Sequence, residues 1–147
     1  MNKEQDIIKI LLVDDDEMMR IYFRDIFWMH SNSNKYEVIM ASSLEEAEKI
    51  VFCKETKPDT IFLDIMMPVL GEKNSPDQQI ERSISFIEKI KNNNDLSSIR
   101  IVIYSGQKEN FVEYEVHKLG IDGYLVKGEL MPKEIIAFTD KIHESNN

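Results

Sequence analysis

The stretch Ile7-Ile8-Lys9-Ile10-Leu11-Leu12-Val13-Asp14-Asp15-Asp16-Glu17 passes from almost unbroken aliphatic sequence into four consecutive acids. An apolar run this short, with so little polar alternation, suits a strand buried on both faces of a parallel sheet. Working outward, four more runs of the same kind lie at 36–40, 60–63, 100–104 and 123–126. Segments of helical period separate them. Met19, Phe23 and Phe27 recur every four residues after the first run, and Leu44, Ala47 and Val51 follow Ser42-Ser43, an N-cap with Glu45 and Glu46 in the first turn. Ile84, Ile87 and Ile90 mark a third helix. Val112, Val116 and Leu119 mark a fourth that Gly120 stops, and Ile135, Phe138 and Ile142 a fifth with Pro132 in its first turn. Strict alternation of strand and helix implies parallel strands joined by right-handed crossovers. The predicted fold is therefore α/β, a doubly wound (βα)5 sandwich on a five-stranded parallel sheet.

At 147 residues the chain has room for one domain with a well-buried core, read as 1–147 with the core over about 7–144. A polar link over about 71–82, containing Pro76, is longer than the usual 2–6 residues and reads as a surface insertion or a flap near the site. The net charge of −9 argues against nonspecific binding to nucleic acid or to an anionic membrane. The run 7–13 is too short for a signal core or a membrane span, which makes a cytoplasmic protein the expectation. The single cysteine, Cys53, precludes an intrachain disulfide and reads as a half-buried small apolar residue on a helix. His30, His117 and His143 are scattered and read as surface or helix-end residues sharing no site, while Met18, Met19 and Met29 read as core filler on the first helix and Trp28 falls at that helix's far end.

In an open α/β sheet, ligands bind outside the C-terminal ends of the strands. Those ends carry Asp14 and Asp15 after the first run, Asp64 after the third, Ser105-Gly106 after the fourth and Lys127 after the fifth. Each residue alone has an ordinary reading: an acidic run caps a helix, an aspartate caps a turn, a lysine is solvated. All of them together predict one rim of carboxylates, a hydroxyl and an ammonium. Crowded carboxylates repel unless a cation joins them, and magnesium takes one or two carboxylates together with phosphate oxygens. Asp64 would then serve as a nucleophile toward phosphorus. The metal, Lys127 and Ser105 would neutralise and orient the equatorial oxygens, with room left by Gly106.

The segments Ile10-Leu11-Leu12-Val13-Asp14-Asp15-Asp16, Pro58-Asp59-Thr60-Ile61-Phe62-Leu63-Asp64-Ile65-Met66-Met67-Pro68, Ile101-Val102-Ile103-Tyr104-Ser105-Gly106 and Gly120-Ile121-Asp122-Gly123-Tyr124-Leu125-Val126-Lys127 together resemble the response-regulator receiver domains of two-component signalling. The resemblance implies a CheY-like, flavodoxin-like strand order 2-1-3-4-5. It implies that Asp64 is the phosphoacceptor and also one of the metal residues, Asp15 a direct ligand of Mg2+ (or of Mn2+ in its place), and Asp14 an acidic neighbour reaching the metal through water. Met66 would offer its backbone carbonyl to the metal, Ser105 would be the switch hydroxyl, Tyr124 the aromatic whose rotamer reports activation, and Lys127 the partner of the phosphoryl group. The implied partners are a sensor histidine kinase or a histidine phosphotransfer protein, and a downstream effector on the face of the fourth helix, fifth strand and fifth helix, with no direct nucleic acid and no membrane contact. Such a protein catalyses only its own phosphorylation and dephosphorylation.

Two departures from the family pattern stand out. Gly128 follows Lys127 where the family usually has proline, often after a cis bond; a cis bond before a non-proline residue costs about 2.5–4 kcal/mol, so another loop path is expected. The insertion after Pro68 is the second. No DNA-binding segment follows the fifth helix, which fits either a protein acting through a separate partner or an excerpt of a longer regulator. Two rivals remain. A magnesium-dependent phosphohydrolase needs a second acid two residues after its nucleophile, where this chain has Met66; a phosphorylation-independent interaction module of the same fold would not need the acids, hydroxyl and lysine.

Overall fold

The computed structural model describes residues 7–31, 34–67, 75–106 and 110–144. In chain order the elements are β1 (Ile8–Val13), α1 (Glu17–His30), β2 (Tyr36–Ala41), α2 (Leu44–Val51), β3 (Thr60–Leu63), α3 (Pro76–Lys91), β4 (Arg100–Ser105), α4 (Asn110–Lys118), β5 (Gly123–Val126) and α5 (Pro132–Glu144). The strands form one parallel sheet in the order β2-β1-β3-β4-β5, as expected from the sequence.

The apolar runs are continuous because both sheet faces are covered. Leu11, Val13, Ile61, Leu63, Ile101 and Ile103 face one layer, built from α2, α3 and α4 through residues such as Ala47, Ile87 and Val116. Ile10, Leu12, Phe62, Val102 and Tyr104 face the other, where α1 and α5 supply Phe23, Ile26, Phe27, Ile135 and Ile136. Phe23 centres this second layer, its ring 4.9 Å from Phe27 and 5.0 Å from Phe62. Gly123 is required where α5 crosses β5, because a Cβ there would lie 2.5 Å from Phe138.

The structure corrects several expectations. The polar link does not extend through residue 82. Ser75 accepts from the Gln78 N–H and Gln78 returns a bond to the Ser75 N–H, a capping box that starts α3 at Pro76. Residues 71–74 and Pro68 lie outside the described residues. Met18 and Met29 are not core filler: they are 72% and 69% exposed, eleven residues and three helical turns apart on the outer side of α1. Met19 does pack against the core. Trp28, near the end of α1, is 79% exposed. Cys53 is half-buried but sits in a bend after α2, its thiol donating to Glu55 Oε2 at 3.1 Å. His143 lies at the end of α5, where a helix-end residue was expected, and contacts the buried Thr60 hydroxyl at the N-terminal end of the sheet.

Candidate functional site

Strand register decides which side chains meet. Val13 pairs with Leu63, and the Asp64 N–H continues the ladder to the Val13 carbonyl at 2.9 Å, so Asp14 and Asp64 leave adjacent strands side by side. The Asp14 N–H is held on the other side by the Ala41 carbonyl at 3.0 Å. Farther along the sheet, Ser105 pairs with Val126, and the Lys127 N–H donates to the Ser105 carbonyl at 2.8 Å. The loop after Lys127 contains no cis bond, and Gly128 takes φ +87° there, a conformation that suits glycine. This is the different path expected from the missing proline.

The result is a compact polar cluster. Asp14, Asp64 and Ser105 are buried, Lys127 is half-buried and Asp15 is exposed. The Lys127 ammonium lies 2.5 Å from Asp14 Oδ2 and 3.0 Å from Asp64 Oδ2. The two buried acids are wired alike. Asp14 Oδ1 accepts from the Asp16 N–H at 2.9 Å and Asp64 Oδ1 from the Met66 N–H at 3.0 Å, each a bond to the amide two residues on. Thus one oxygen of each acid is tied to the local turn and the other to Lys127. Tyr124, opposite Ile103 on β5, is half-buried against the α2–α4 layer.

The charges respond to burial and to each other. Burial pushes the Asp64 carboxyl above the usual carboxylate range; the Met66 N–H and Lys127 oppose this, and Asp14 reinforces it. Burial would lower Lys127, but its bonds and attraction to Asp14 and Asp64 leave it net raised. For one ion pair these directions pull apart, since a charged lysine should make its carboxylate more acidic. The close contacts favour a charged Lys127, with Asp64 under-compensated because two carboxylates share one ammonium. With Asp15 nearby, three carboxylates stand against one ammonium, a net negative charge that a cation can offset.

A divalent cation fits that surplus. Carboxylate oxygens of Asp14, Asp15 and Asp64 lie within 4.8 Å of one another, all hard oxygen donors, and Asp15 opens the group toward solvent. The structure therefore brings Asp14, Asp15, Asp64 and Lys127 together and seats Ser105 beside Lys127 through the main chain.

Two supporting residues escaped the sequence reading. Ser83, fully buried on α3, donates to the Ile65 carbonyl at 2.8 Å and pins the loop after Asp64. Its signal was a small polar residue within the apolar stripe of Ile80, Ile87 and Ile90. Arg20, four residues into α1, donates from Nη1 to the Asp14 carbonyl at 2.8 Å. Its signal was weaker: a cation in the N-terminal turns of a helix, where the dipole disfavours it.

Comparison with known proteins follows the same lines. The family described as response regulator receiver domain matches residues 10–139. The response regulator UvrY of Escherichia coli K12 is 26% identical over 89% of the chain, which spans about half of that relative's length (52%). The chemotaxis protein CheY of Halobacterium salinarum is 29% identical over 90% of the chain and 94% of its own length. In fold, the chain resembles the Vibrio cholerae chemotaxis protein CheY4, with a TM-score of 0.72 at 20% identity, covering 93% of this chain and 99% of that one.

Proposed function

The chain belongs to the response regulator receiver domain family of two-component signalling, and from that premise we propose that Asp64 accepts a phosphoryl group from a histidine kinase or a histidine phosphotransfer protein. One observation carries the reading: three carboxylates and an ammonium converge at the C-terminal ends of β1, β3 and β5, with Asp64 at the centre of the charge imbalance.

An Asp64 carboxylate oxygen attacks phosphorus, the bond from phosphorus to the donor breaks, and the donor leaves with the electron pair. Asp14, Asp15 and Asp64, with the Met66 carbonyl, are the residues that would hold magnesium or manganese, which would supply charge neutralisation to the phosphoryl oxygens. Lys127, already 3.0 Å from Asp64, holds the phosphoryl group as its counterion. The buried Ser105 hydroxyl turns toward the new oxygens, and Tyr124 moves into the room it vacates. The face of α4, β5 and α5 then changes its affinity for an effector, as a shift between populations.

The surroundings suit a protein donor in a cytoplasmic setting. Met18 and Met131 are 72% and 67% exposed on the segments that leave the acidic cluster and Lys127. Among the described residues, no helix is long and apolar enough to cross a membrane. A phosphohydrolase would need an acid at Met66, whose N–H instead braces Asp64.

Two experiments test this. Acetyl phosphate with magnesium should leave a phosphoryl label that neutral hydroxylamine releases and that chelation prevents; a hydroxylamine-stable label would contradict an acyl phosphate. Hydrogen–deuterium exchange over 105–127 should change on adding a phosphoryl mimic with magnesium, and unchanged exchange would contradict the switch.

A further inference from the structure

We infer that Arg20 is a positioning residue for the cation site: its guanidinium fixes the peptide between Asp14 and Asp15 and thereby aims the Asp15 carboxylate. This rests on the magnesium reading given above.

Each polar group of Asp14 has a partner. Its N–H goes to the Ala41 carbonyl, Oδ1 accepts from the Asp16 N–H, and Oδ2 pairs with Lys127. Its carbonyl is the first main-chain acceptor past the point where the Asp64 N–H takes the Val13 carbonyl, and there Arg20 Nη1 donates at 2.8 Å. Asp15 differs. Among the described residues its exposed carboxylate makes no hydrogen bond or ion pair, so no side-chain partner holds it and the backbone that carries it sets the positions it can reach. That backbone begins at the carbonyl Arg20 holds.

The placement of Arg20 argues in the same direction. Glu17 opens α1, so Arg20 lies within the first turns, where a cation opposes the helix dipole. Asp15, Asp16 and Glu17 are close in sequence, yet among the described residues no carboxylate forms an ion pair with Arg20. Its bond goes to the main chain, as expected of a side chain that holds geometry rather than one that neutralises surface charge.

The test separates these roles by sign. Removing a positive charge beside an acidic cluster should tighten cation binding if Arg20 acts only through its field. If it positions Asp15, removal should weaken binding, and outer partners of metal ligands typically contribute about 10–100-fold in affinity. Calorimetric titration of Mg2+ into the full chain should give Arg20→Met a Kd raised about tenfold or more, with Arg20→Lys between that variant and wild type. The Asp15 amide shares the peptide with the Asp14 carbonyl, so its 15N resonance should move in Arg20→Met without metal. The rate of labelling by acetyl phosphate should need more Mg2+ for half-maximal effect and approach wild type at saturation. An unchanged or lower Kd in Arg20→Met, with wild type binding normally, overturns the positioning role alone. Failure of the wild type to bind Mg2+ overturns the magnesium reading, and this inference with it.

Discussion

At the C-terminal end of the sheet two buried carboxylates share one ammonium, whereas at the N-terminal end a hydroxyl, an imidazole and a guanidinium answer one another in turn. His143 on α5 lies 2.7 Å from Thr60 Oγ1 through Nε2 and 3.4 Å from Arg100 Nη1 through Nδ1. Because arginine only donates, Nδ1 accepts and Nε2–H donates to Thr60. Beside it, Asp140 accepts from Lys35 at 2.7 Å and from the Tyr36 hydroxyl. Burial would raise Asp140, but those two bonds outweigh it and hold the carboxyl below the usual range. The contrast is physical: the N-terminal cluster satisfies its own groups and ties α5 to the sheet, while the C-terminal cluster is left short of positive charge. On the function proposed above, that incompleteness is what leaves the site open to a cation and a phosphoryl group.

Removing the ammonium should break the C-terminal end most severely. Lys127→Met leaves Asp14 and Asp64 buried without a counterion, and breaking a buried pair in this way costs about 3–5 kcal/mol. Urea unfolding without divalent ions should show a loss of that order, and millimolar Mg2+ should restore part of it. A loss that Mg2+ leaves untouched would mean that the metal does not take up the uncompensated charge. At the other end, Thr60→Val removes the acceptor for His143 and should cost about 1 kcal/mol. Labelling by acetyl phosphate should stay at the wild-type rate; a large fall would show that the two ends are coupled rather than separate.

The smallest effect concerns pH. Burial lowers the His143 pKa, Arg100 and Lys35 lower it further, and Asp59 and Asp122 partly offset this. The neutral ring is therefore favoured in the folded protein. Its stabilising contribution is present above the unfolded histidine value of about 6.5 and is lost as pH falls through the lower folded value. Between pH 7.5 and the acid side of that window, wild type should lose more stability than His143→Gln in parallel urea titrations. Equal losses would remove His143 from the account.

The same contrast explains what could be read from the sequence. Strand limits agree to within one residue, because runs buried on two faces have abrupt polar ends such as Val13-Asp14 and Leu63-Asp64. The acids, Ser105 and Lys127 were legible as candidates because the rule about strand ends needs only those limits. The structure brings Asp14, Asp15, Asp64 and Lys127 into one cluster. The contact at the opposite end of the sheet was not legible, because no strand-end rule points to it. Thr60 and His143 stand 83 residues apart and meet only because α5 packs beside β3's layer. Met18 and Met29 misled because apolar residues next to a buried stripe look like part of it, although Phe23, Ile26 and Phe27 already fill the buried arc. Polar sequence and Pro76 suggested a link where Ser75 and Gln78 in fact form a helix cap, since the first turns of α3 are exposed and have no apolar period to show.

The most direct measurement is the intact mass of wild type and Asp64→Asn after incubation with acetyl phosphate, with and without magnesium. The expected result is one phosphoryl adduct on wild type that depends on magnesium and is absent from Asp64→Asn. An adduct of equal yield on Asp64→Asn, or one indifferent to chelation, would contradict Asp64 as the acceptor.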